Sequence, residues 1–160
     1  MDSFFRWLKN RFTASRKHLE LKQYQVFADL NDFELYLLNE LIHTRSFKAG
    51  ELIYEEGYPL EVIYFVQSGE IELSGIYGSK LNKTVGPGGH LGILDMYHGN
   101  QRSSTATAKT DIEAHVISKS DLSSFVELKP RAGLKILSAI NQEFCHFIFD
   151  LAGTKEHELD

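Results

Sequence analysis

PGGHLGILDMYHGNQRSSTATA, residues 87–108, decides how this chain is read. A glycine-rich turn leads into a short apolar stretch, then a polar loop, then a lone arginine followed by two serines and an alternating Thr/Ala run. The order suits an anion cradle. Gly92 permits close backbone approach, residues 93–97 are expected to form one helical turn with free N–H groups, and Arg102 supplies a fork of donors. The expected cradle comprises Gly92, Ile93, Leu94, Asp95, Arg102, Ser103 and Ser104.

Working outward, the rhythm after Ser46 is one of short β-rich runs divided by Gly and Pro, the pattern of a sandwich or roll. Ile71, Leu73, Ile76, Ala114, Val116 and Ile117 are its expected core residues. Before it, residues 29–44 carry a helical pattern with Asn31 or Asp32 as N-cap. After it, Ser120 or Asp121 is expected to cap a short helix, and Pro130 to open a long one over about residues 130–152. Leu134, Leu137, Ile140, Phe144, Phe147, Ile148 and Leu151 form the apolar stripe of that last helix. The stripe is wider than one roll needs, and a homodimer through residues 130–152 is the expected explanation.

The segment resembles the phosphate-binding cassette of the cyclic nucleotide-binding domain family, the β-roll module of catabolite-activator-type proteins and of cyclic-nucleotide-regulated kinases and channels. FKAGELIYEEGYPLEVIYFVQSGEIEL, residues 47–73, is similar to the family's opening strands, and AKTDIEAHVISKSDLSSFVELKP, residues 108–130, to its closing strands and following helix. The resemblance implies a mainly β fold, a double-stranded β-helix or jelly roll of about eight strands with flanking N- and C-terminal helices. It places a leader at 1–26, the domain at 27–152 (roll about 46–118, helices 119–152) and a tail at 153–160. It also implies a regulatory, non-enzymatic role in which a cyclic nucleotide or another small phosphorylated anion is held by Arg102.

The family usually has a glutamate after the cassette glycine to hold the ribose hydroxyl, whereas this chain has Ile93. Losing a charge-assisted partner costs roughly 1.5–3 kcal/mol, or about ten- to a hundredfold in affinity. Weakened or altered ligand binding is therefore expected, and Ile93→Glu is expected to tighten it. Phe144, Phe147 and Ile148 on the last helix can stack on a base but cannot read its edge. The alternative is a ligand-free interaction or scaffold protein that keeps the roll and acts through its helices.

Charge narrows the partners. Residues 23–160 hold 11 Lys+Arg against 20 Asp+Glu, which repels a phosphate backbone, and with only LAGTKEHELD after the last helix no helix-turn-helix is expected. Nucleic acid is thus not an expected partner; a protein partner is, as the route by which a signal leaves. Residues 2–22 reverse the sign, with six Lys+Arg against two Asp+Glu and an apolar stripe of Phe4, Phe5, Leu8, Phe12 and Leu19. Docking of this amphipathic basic helix on the acidic body is favoured over contact with a membrane surface.

Chemistry beyond binding finds no support. Cys145 is the single cysteine, and as a helical neighbour of His146 it points about 100° away from it. His90, His98 and His115 contain no His-x-His pair, so neither a metal nor a cofactor is expected. Interrupting charges at Arg6, Lys9 and Arg11 argue against a secretory signal, and a cytoplasmic location follows as the expectation.

Overall fold

The computed structural model describes residues 17–75 and 82–151. Most of the basic leader, Ile76 and the tail lie outside these residues. Among the described residues, eight strands form two four-stranded antiparallel sheets. One is ordered β1 (His43–Phe47), β8 (Ile112–Ser118), β3 (Val62–Ser68), β6 (His90–Leu91); the other β2 (Leu52–Tyr54), β7 (Thr105–Ala108), β4 (Ile71–Ser74), β5 (Lys83–Val85). This is the jelly-roll architecture expected. Its first strand begins at His43, inside the stretch read as helical, because helix α1 (Asp32–Asn39) stops earlier.

The two-residue period of β3 builds two cores at once. Tyr64 and Val66 face the interior between the sheets, with Ile71, Leu91, Ala106 and the Ile112, Ala114, Val116 face of β8. Ile63 and Phe65 face the other way, into a cluster with Leu35, Leu38, Phe125, Ile136 and Ile140 from the helices. No helix among the described residues is long and apolar enough to cross a membrane.

The segment Lys17–Phe27 forms two 3-10 turns rather than a regular helix. Leu21, Tyr24, Val26 and Phe27 are buried in the helical cluster, so the boundary drawn at 26/27 falls inside one packed unit. Tyr24 is central there. Its ring lies 5.0 Å from that of Phe65, and its hydroxyl shares a 2.8 Å hydrogen bond with Nδ1 of His115 on β8.

Caps fix the remaining helices. Asn31 and Glu34 form a reciprocal capping box at the start of α1, and Glu34 also accepts from Lys135 at 2.7 Å, joining that helix to the C-terminal one. Helix α3 (Lys119–Leu128) is capped by Ser118, whose hydroxyl accepts from the Asp121 N–H, rather than by Ser120 or Asp121. Helix α4 (Pro130–Leu151) opens at proline as expected. Its buried face differs from the sequence stripe: Ala132, Ile136, Ala139 and Ile140 are covered, while Leu134 is 71% exposed and Leu137, Phe147 and Ile148 are also on the surface. The small alanines carry no amphipathic signal, yet they let the helix lie close.

Candidate functional site

The short strand β6 delivers the chain to Gly92, after which helix α2 (Ile93–Tyr97) makes one turn and the chain returns to Arg102. The return is pinned through the backbone, with Arg102 N–H donating to Tyr58 O at 2.8 Å and Gly57 N–H to Arg102 O at 2.8 Å. Gly92 has φ of +102°, a left-handed conformation that glycine alone adopts cheaply. A Cβ there would lie 2.7 Å from Arg102 Nη1. Close approach at Gly92 therefore serves the arginine side chain as well as any ligand.

Arg102 is 5% exposed. Its Nη2 donates to Val62 O at 2.6 Å, and its guanidinium carbon stands 3.9 Å over the centre of the Tyr54 ring and 5.5 Å from that of Tyr64. Nη1 is buried with no hydrogen-bond partner. Among the described residues Arg102 forms no salt bridge with Asp95 or any other carboxylate. Burial lowers the guanidinium's affinity for its proton, an effect offset in part by Tyr54, Tyr64 and Asp95. The same burial pushes the Tyr54 phenol up to about 12, with the Arg102 charge opposing it. A buried cation with one idle donor is an unfinished electrostatic arrangement.

Beside it lies a cavity of about 160 Å³, lined by Gly92, Leu94, Asp95, Ser103 and Ser104 from the cassette, with Tyr54 and Phe147 among its other walls. The structure thus gathers five of the seven expected cradle residues on one cavity and sets Arg102 behind them. Ile93 is the exception. It is 1% exposed and packs into the helical cluster with Leu60 and Ile63, not onto the cavity wall. Asp95 is 4% exposed, and its Oδ1 accepts from the Ser103 N–H at 3.2 Å.

A second cavity of about 430 Å³ continues from the first, sharing Lys83, His90, Leu94 and Phe147 and reaching Glu143 on α4. Sequence reasoning missed Tyr54 and Lys83. Tyr54 comes from β2 in the neighbouring sheet, and Lys83 reaches the site because it pairs with Leu73 in the β4–β5 ladder. Neither has a local signal. Each arrives by long-range pairing. His90 has Nε2 2.6 Å from Glu143 Oε2.

Comparison with known proteins agrees with this fold. Residues 44–128 match the family model described as "Cyclic nucleotide-binding domain". The chain is 24% identical over 147 residues to "Glutaminase 2" of Bradyrhizobium diazoefficiens, covering 86% of this chain and 23% of that protein. It is 26% identical over 99 residues to a cAMP-dependent protein kinase regulatory subunit of Yarrowia lipolytica, covering 62% of this chain and 26% of that one. It spans about a quarter of the length of these curated relatives. Among solved structures, a cyclic nucleotide-binding domain from Methylobacillus flagellatus superposes with a TM-score of 0.71 at 19% identity, over 92% of this chain and 89% of that one, a likeness of fold.

Proposed function

The chain belongs to the cyclic nucleotide-binding domain family, and from that premise we propose that it is a regulatory module whose cassette cavity binds a cyclic nucleotide or similar small phosphorylated anion with weakened affinity. The observation that carries this reading is the idle, buried Nη1 of Arg102, close against Gly92 behind the cavity that Gly92, Ser103 and Ser104 line. A phosphate oxygen seated against those residues completes the guanidinium's hydrogen bonding. Phe147, at the cavity edge on α4, offers a ring face for a base.

Weak binding has three supports. The cassette end of the space holds only about 160 Å³, less than the roughly 300–1,000 Å³ usual for ligand sites, with the remaining room in the adjoining cavity of about 430 Å³. Ile93 is turned into the core, and Asp95 already occupies the Ser103 N–H. Entry of a ligand therefore requires α4 to shift outward, and a ligand acts only as far as it prefers that shifted state. The exposed Leu134, Leu137 and Ile148 suit a second copy packed along α4, which sedimentation of wild type against Leu134→Glu tests.

Calorimetry with cyclic AMP and cyclic GMP, on wild type and Arg102→Ala, tests the ligand. Saturable heat in the wild type that vanishes in the variant is expected. No heat with either nucleotide in the wild type leaves the second reading, a scaffold that keeps the roll, which the small cavity favours.

A further inference from the structure

We infer that Asp95 is the specificity-determining residue of this pocket, a built-in negative charge that admits singly charged phosphodiesters and rejects doubly charged phosphomonoesters. The inference rests on the phosphate-binding reading above. Asp95 sits on the wall of the cassette cavity with Gly92, Ser103 and Ser104, and only 4% of it is exposed. Its Oδ1 takes the Ser103 N–H at 3.2 Å, one of the donors a bound phosphate would seek, and its charge acts on the buried Arg102 guanidinium.

The Asp95 carboxylate and the Lys83 side chain line this small space, and the Arg102 guanidinium lies buried behind its wall. With Lys83, Arg102 and Asp95 counted together, a monoanion entering that space makes an arrangement with no net charge, while a dianion leaves −1 unmatched in surroundings screened far less than bulk water. The penalty grows with each charge on the ligand, so the carboxylate discriminates by charge even where the shape of the ligand is unchanged. Specificity of this kind comes from repulsion of the wrong partner rather than extra attraction for the right one. Lys83 and His90 line the same cavity, but both stand on its strand side, whereas Asp95 touches the phosphate-seeking amide itself.

The test compares cyclic AMP, a monoanion, with 5′-AMP, a dianion at pH 8, by competition binding to wild type, Asp95→Asn and Asp95→Ala. Asparagine keeps an oxygen for the Ser103 N–H and removes only the charge; alanine removes both, and each variant's fold is checked by its melting transition. Affinity for 5′-AMP is expected to rise at least tenfold more than affinity for cyclic AMP in both variants. Binding that appears only in the variants would overturn the filter, since the wild-type charge would then exclude the monoanion as well. If wild type binds cyclic AMP and the ratio is unchanged in the folded variants, the charge filter is wrong while the phosphate reading stands. If no form binds either nucleotide, the phosphate reading falls and the filter falls with it.

Discussion

Nε2 of His90 lies 2.6 Å from Oε2 of Glu143, so the strand that enters the cassette is tied directly to the helix that borders the ligand cavity. Both side chains are largely covered, 16% and 30% exposed, and a neutral imidazole N–H can donate to the carboxylate without a full ion pair. Such a bond contributes about 1 kcal/mol. Glu143→Ala is expected to speed amide hydrogen exchange in residues 139–147 about fivefold, leaving the β-roll amides unchanged. Equal exchange in both proteins would show that the contact does not hold the helix.

Gly92→Ala tests the close approach at the cassette. The added Cβ meets Arg102 Nη1 at 2.7 Å and must adopt a φ of +102°, so a loss of about 1–3 kcal/mol is expected in chemical denaturation. In the Arg102→Ala background the clash with Nη1 disappears, leaving the milder contacts with Leu60 Cδ1 at 3.0 Å and Ile63 Cδ1 at 3.3 Å, and the loss shrinks. Additive losses would place the whole cost in the backbone.

Ile93→Glu reverses the expectation drawn from sequence. A carboxylate at a site 1% exposed among Leu60, Ile63 and Phe65 has no partner there, so about 3 kcal/mol or more of stability is lost and no affinity is gained. A stable variant that binds cyclic AMP more tightly would mean that side chain 93 reaches the cavity.

The buried bond between Tyr24 and His115 predicts an acid-sensitive fold. Desolvation holds the His115 pKa below its ordinary 6.5, against the opposing pull of Glu20 and Glu113. The unfolded chain therefore takes up this proton first as pH falls. Its contribution to stability is complete above about pH 7.5, begins to fall near 6.5, and keeps falling until the folded pKa is passed. His115→Gln keeps an acceptor for Tyr24 and should flatten the melting temperature between about pH 7.5 and 5.5. An unchanged slope would assign the acid sensitivity to other groups.

The roll was legible because its strands are short, glycine-punctuated and strongly apolar, and because Gly92 and Arg102 stand at the two ends of one loop. Local spacing alone placed the helical turn at 93–97, where the structure has Ile93–Tyr97. What spacing could not give was the direction of each side chain within that turn. Ile93 left the expected cradle while Asp95 stayed on its wall, because the face of α2 against Leu60 and Ile63 is set by packing with residues about thirty positions earlier. The burial of Arg102 was likewise hidden, since its stacking partner Tyr54 is brought to it by the β2–β7 ladder from almost fifty residues earlier. The long helix misled for a related reason: its contact face uses Ala132 and Ala139, which hydrophobic patterning undervalues.

The account turns on Arg102 as the group that receives a ligand's phosphate, and a ¹H–¹⁵N NMR titration with cyclic AMP reads that most directly. The Gly92, Ser103 and Ser104 amides and the Arg102 Nε–H resonance should move together along one saturable curve, and the same amides should stay fixed when Arg102→Ala is titrated. Shifts that never saturate, that scatter over the surface, or that persist in Arg102→Ala would contradict it.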